Sequence, residues 1–272
     1  STVAGNKTVT FTYNGDANFN ASPSNTAGHG VNQAATTVAI TNDTPDPSVF
    51  GQNYAVTAAV SVASPGSGTP TGTIIVSDGT NTCTITLPAT ACNLPSTSVG
   101  AKTLTAIYTG DANYIGNTSA GAPHTVNKAD TNTTITSDNP DSSAVGQSVT
   151  VAFTVAAAAP GAGTPTGNVT VTVSGGSETC TGTVAAGQCS ITLTTVGART
   201  LTATYAGDTN FNGGASAGEP HTVVAPPSIA KAFSPSTAPL NTATTLTFTG
   251  LSVAMAPTAL PSSWKIWTRR LP

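Results

Sequence analysis

Three short loops in this chain carry residue types that could hold a cation. They contain Asp16 and Asn18, Asp111 and Asn113, and Asp208 and Asn210. Oxygen donors of this kind suit calcium, but calcium takes six to eight oxygens and each loop offers two side chains. The same residues are also turn formers, because short polar side chains bond nearby backbone amides. Turn chemistry is the expected role. Asp111, Asn113, Asp208 and Asn210 stand as the calcium candidates, and a fuller oxygen set would need Asp43, Asp46, Asp138 or Asp141 from a neighbouring repeat. No cofactor is expected.

Histidine and cysteine are the other residues with chemical potential. His29, His124 and His221 are 95 and 97 residues apart, and each stands just before a short strand-like segment. No carboxylate lies at a telling sequence spacing from them, so they are expected to be structural strand-edge residues rather than catalytic ones. Cys83 and Cys92 are nine apart, as are Cys180 and Cys189. A zinc site would need four ligands, and no neighbouring His or Cys completes one. A pair at fixed spacing in each repeat reads instead as a Cys83–Cys92 and a Cys180–Cys189 disulfide, which places the chain in an oxidising compartment. Each bridge is expected to join opposed residues of one hairpin that turns near Pro88 or its counterpart. Lys7, Lys102 and Arg199 share one repeat position; the arginine argues against a Lys–Asn isopeptide bond there.

These residues sit in a sequence written three times. It reads AGNKTVTFTYNGDANF from Ala4, VGAKTLTAIYTGDANY from Val99 and VGARTLTATYAGDTNF from Val196. A period near 95 residues is the length of one small β-sandwich, not of a solenoid turn. Further landmarks repeat in step: Gly51-Gln52 with Gly146-Gln147, and Thr69-Pro70-Thr71-Gly72 with Thr164-Pro165-Thr166-Gly167. The hydrophobic period is two. Val149, Val151, Phe153 and Val155 alternate with small or polar residues, as do Val169, Val171 and Val173, and Leu201, Ala203 and Tyr205. This is the pattern of strands with one buried and one polar face. The expected fold class is all-β, tandem sandwiches strung as beads. The expected divisions are a truncated module at 1–34, whole modules at 35–129 and 130–225, the start of a different β domain at 226–249, and an irregular tail at 250–272. The tail holds both tryptophans and the only methionine, and is read as the product of a frameshift. Ser1 opens inside a module, so the chain reads as part of a longer protein.

Composition narrows the function further. Charged residues are 7% of the chain and the net charge is −3. Such a surface lacks the basic density that neutralises phosphates, so nucleic acid is not an expected partner. No run of 18 apolar residues occurs to span a membrane as a helix. Threonine-rich faces such as Thr200, Thr202 and Thr204 suit an uncharged strand better than a flat ice-binding ladder, because sheets twist.

The Tyr-x-Gly-Asp-x-Asn-aromatic element is specific enough to carry a resemblance. Its residues are Tyr13, Gly15, Asp16, Asn18 and Phe19; Tyr108, Gly110, Asp111, Asn113 and Tyr114; and Tyr205, Gly207, Asp208, Asn210 and Phe211. With the strand before it and the two module cysteines, it resembles the bacterial Ig-like domain repeat found in tandem in large secreted and cell-surface proteins. The resemblance spans about residues 35–225, with a partial copy at 1–34. It implies an Ig-like sandwich, no catalytic residues, and a spacer or stalk role serving adhesion outside the cell. Neighbouring Ig-like domains of the same chain are the expected partners, with an extracellular glycan or protein as the other candidate. The alternatives are a glycan- or host-protein-binding adhesin module and an accessory array of a secreted hydrolase. The half-module at 1–34 is expected to be poorly ordered or wrongly paired, because no second sheet covers Val9, Phe11 and Tyr13.

Overall fold

The computed structural model describes residues 3–226 in full, and the backbone of 230–234 and 245–249. Within these residues every regular element is a β-strand. The described chain falls into two compact units. One is built on the chain up to Thr131 with Ala156–Pro165 and Gly207–Gly213; the other is built on Asn132–Val155, Thr166–Ala206 and the chain from Gly214 onward.

The first unit opens with β1 (Gly5–Phe11) and β2 (Asn25–Val31), an antiparallel pair. Its register sets Lys7 opposite His29. The corresponding whole-module strands set Lys102 opposite His124 and Arg199 opposite His221. The expectation of wrong pairing is therefore corrected: the repeat's own residues bring the two strands together in the whole-module register. The uncovered face is present as expected, with Val9 42%, Phe11 71% and Tyr13 44% exposed.

A sandwich follows. β3 (Thr36–Thr44), β5 (Asn53–Val62) and β8 (Ala91–Pro95) form one sheet in the order β3-β5-β8. The facing sheet contains β4 (Ser48–Val49), β6 (Thr73–Ser77), β7 (Thr82–Thr86), β9 (Gly100–Tyr108) and β11 (Ala122–Asn127), ordered β4-β11-β9-β6-β7. A two-residue strand, β10 (Asn117–Thr118), adds to β9. Between the sheets Val56, Ile74, Val76, Leu94, Leu104 and Ala106 are completely buried. Burying a side chain of this kind is worth roughly 1.5–3 kcal/mol, which is why the period-two pattern selects this face.

The second sandwich repeats the plan. β12 (Thr131–Asn139), β14 (Ser148–Ala157) and β17 (Gln188–Thr192) make the smaller sheet. β13 (Ser143–Ala144), β15 (Asn168–Val173), β16 (Thr179–Thr183), β18 (Gly197–Tyr205), β19 (Gly214–Ala215) and β20 (Glu219–Val224) make the larger. Val149, Val151, Val169, Val171, Leu201 and Ala203 fill its interior. Beyond it, β21 (Ala230–Ser234) pairs antiparallel with β22 (Thr245–Thr249). The irregular tail, 250–272, lies outside the described residues.

The cysteines join Cys83 to Cys92 and Cys180 to Cys189, with Cα atoms 5.9 and 5.8 Å apart. They are not opposed residues of one hairpin ladder. Cys83 lies on β7, which pairs with β6, and Cys92 lies on β8, which pairs with β5. The chain turns at Pro88 and changes sheet, because each strand finds its backbone partner in a different layer. Each disulfide therefore ties one sheet to the other at the sandwich edge.

Candidate functional site

The repeated loop after β9 is built from its backbone outward. Gly110 has φ +80°, and a Cβ there would lie 2.8 Å from Gly116 N and 2.9 Å from Tyr114 O. Only glycine fits this turn without strain. Asp111 Oδ1 accepts from the amides of Asn113 at 2.8 Å and Tyr114 at 3.0 Å. Asp208 Oδ1 accepts likewise from Asn210 and Phe211, and Asp16 Oδ1 from Asn18 and Phe19. Asp111 Oδ2 takes two more bonds, from the amide and hydroxyl of Thr71. Burial pushes this carboxyl upward, but the bonds from the Thr71 hydroxyl and the amides of Asn113, Thr71 and Tyr114 prevail and hold it at about 2. Asn113 Oδ1 accepts from Ala4 N at 2.9 Å. The Asp111 oxygens offered as calcium ligands are thus engaged in closing the turn.

The tyrosine before each loop reports whether its module is whole. Tyr108 donates its hydroxyl to Thr71 O at 2.8 Å, and Tyr205 donates to Thr166 O at 2.7 Å. Residues 1–34 contain no counterpart of that threonine segment. There Tyr13 donates instead to Asp16 Oδ2 at 2.8 Å.

The histidines occupy a different setting from the strand edge expected of them. His124 and His221 are 1% and 2% exposed, because the alternation of β11 and β20 turns them inward with Val126 and Val223. His124 Nδ1 donates to Asp43 Oδ2 at 2.7 Å and lies 3.4 Å from Asp46 Oδ1. A carboxylate can only accept, so this nitrogen carries the proton. On the other side of the ring, Nε2 is 2.9 Å from Ser48 Oγ, which is 2.7 Å from Ser96 Oγ. Tyr54 stacks on the imidazole at 3.9 Å between ring centroids. In the second sandwich His221 Nδ1 donates to Asp138 Oδ2 at 2.6 Å, and Nε2 lies 2.9 Å from Ser143 Oγ. Asp141 completes the cluster as Asp46 does in the first. His29, in the partial copy, is exposed.

The sequence offers these carboxylates only as additional calcium oxygens, not as partners of the histidines, because Asp43 and Asp138 lie 81 and 83 residues from His124 and His221. A signal was present: Asp43-Thr44-Pro45-Asp46 and Asp138-Asn139-Pro140-Asp141 repeat at the module offset. The order Asp–His–Ser is that of a nucleophilic triad. Here Ser48 and Ser143 are 0% and 1% exposed, so an external carbonyl has no route to either hydroxyl. What the arrangement does offer is a buried imidazole with two carboxylates at its Nδ1 edge, the outer one open to solvent.

The bacterial Ig-like domain (group 3) family matches residues 40–127 and 135–224, well over half of the chain. The chain belongs to that family. Among curated proteins none matches it. Solved structures similar to it at low identity include three from adhesion proteins. This bacterial Ig-like chain is 19% identical to a tetra-tandem repeat in the extending region of a large adhesion protein (TM-score 0.36), over 85% of this chain and 59% of that one. With the Yersinia pseudotuberculosis adhesin InvE the identity is 14% (TM-score 0.35), over 69% and 58%. With the Escherichia coli adhesin FdeC it is 18% (TM-score 0.28), over 80% and 74%. The bacterial Ig-like chain thus spans under two thirds of the first two.

Proposed function

We propose that this chain is a non-catalytic spacer region of a bacterial surface or secreted protein, bearing load and setting distance for adhesion. The observation that carries the reading is a parallel ladder in each sandwich between an early strand and the last one. Ser48 and Val49 pair with Val126 and Asn127, and Ser143 and Ala144 with Val223 and Val224. Phe50 N to Asn127 O and Val145 N to Val224 O extend these ladders. In a parallel pair, the start of one strand and the end of the other lie at opposite ends. Tension along the chain then shears all the rungs together instead of opening them singly. The disulfides suit an oxidising location outside the cytoplasm. A surface wetted by Thr, Ser and Asn supports a role that asks little of partner electrostatics.

Stretching single molecules by their ends tests the reading. Each sandwich should unfold as a separate event, and Val145→Pro, which removes one ladder donor, should lower the force of one event while leaving the other unchanged. An unchanged force, or strong retention of the chain on a glycan array or host cells, would replace the spacer reading with a binding one.

A further inference from the structure

We infer that each sandwich holds one divalent first-row transition-metal ion, with zinc as the probe. The ligands are His124 Nδ1, Asp43 and Asp46 in the first, and His221 Nδ1, Asp138 and Asp141 in the second. In each cluster the three ligand atoms lie within 4.8 Å of one another. A tetrahedral ion with bonds of about 2.1 Å sets neighbouring ligand atoms roughly 3.4 Å apart. His124 Nδ1 and Asp46 Oδ1 are already 3.4 Å apart, and Asp43 must draw back from its present 2.7 Å.

Charge points the same way. Four of the chain's eleven Asp and Glu residues are spent on these two clusters. Among the described residues, the ion pairs these carboxylates make are to histidine alone. Two carboxylates and a neutral imidazole match a doubly charged ion. The mixed nitrogen and oxygen set favours zinc and its neighbours, whereas calcium and magnesium prefer oxygen throughout.

The surroundings supply what a metal histidine needs. The Nδ1 proton leaves to water and Nε2 takes one up from water, so the imidazole stays neutral and the freed Nδ1 lone pair binds the ion. The ring then donates its Nε2 hydrogen to Ser48 Oγ, and Ser48 turns its own hydrogen to Ser96 Oγ. Such an outer bond fixes the tautomer and orientation of a ligating imidazole. His124 is fully buried at its side chain while Asp46 is 41% exposed, so the fourth position faces solvent and provides a path in. The two copies differ around the site: Val149 stands where Tyr54 does, and Leu193 where Ser96 does. The Asp, Asp, Ser and His are common to both. Because Asp43 belongs to β3 and His124 to β11, the ion would fasten one sheet to the other.

Calorimetric titration of the untagged full chain with zinc, alongside the visible spectrum of its cobalt form, tests this. One ion per sandwich is expected, with the intense cobalt bands of tetrahedral coordination. Asp46→Asn and Asp141→Asn keep the inner His–Asp bond and a folded circular-dichroism spectrum. Each should remove one ion, and together they should remove both. Failure to saturate in millimolar zinc, full stoichiometry in the folded double variant, or equal uptake of calcium would each overturn the assignment.

Discussion

A single backbone atom position explains why the repeated loop spells glycine. At Gly110 a methyl group would meet Gly116 N and Tyr114 O at under 3 Å, in a turn with φ +80°. Gly110→Ala should therefore cost roughly 1–3 kcal/mol. Gly79 has a similar φ of +86° but open space around its Cβ, so Gly79→Ala should cost less, and urea melts of the two variants check the order. Asp111 supports a second prediction. Its folded carboxyl sits at about 2 against an ordinary 3.8, so its contribution is complete above 3.8 and is lost as pH falls toward 2. Glu178, bonded by the Thr194 hydroxyl, is also held at about 2 and acts in the same direction. The melting temperature should stay level from neutral pH down to about 5, then drop below about 4, and Asp111→Asn should flatten part of that drop. A melting temperature that ignores acid over this range would contradict the loop's bonding.

At the scale of elements, the disulfide joins strands from opposite sheets. It closes a short loop, so losing it should cost about 2–3 kcal/mol, read as a shift in the urea midpoint of Cys83→Ser/Cys92→Ser. Much of the element plan was legible in the sequence. The alternation through Val149, Val151 and Phe153 named a buried face, and all three are buried. What local pattern does not contain is the choice of partner. The segments around Cys83 and Cys92 read as two arms of a hairpin, because a short connection usually joins neighbours. β7 pairs with β6 through the local turn at Asp78–Asn81, which leaves β8 to pair with the distant β5, a choice settled by long-range packing. The same limit hid the histidine clusters. Nothing adjacent to His124 announces Asp43, because the contact exists only once β3 and β11 close on each other.

For the molecule as a whole, tension makes the bridges visible as length. With the disulfide intact, the eight residues between the cysteines of each sandwich stay out of the stretched path. Their nine Cα-to-Cα steps extend roughly 30 Å, less the 5.9 Å already spanned, so adding reductant should lengthen each unfolding step by about 25 Å. Steps of equal length with and without reductant would show that the bridges do not form under the conditions used.

The narrow spacing of the cysteines also bears on how such a chain is oxidised. Four cysteines permit three pairings, and the nearest wrong one, Cys92 with Cys180, spans 88 residues instead of nine. Loop closure alone then favours the correct partner by about 2 kcal/mol, roughly thirtyfold. Repeats can be appended without raising the risk of scrambled cross-links, and a long array could emerge into an oxidising space with each copy sealing itself as it arrives.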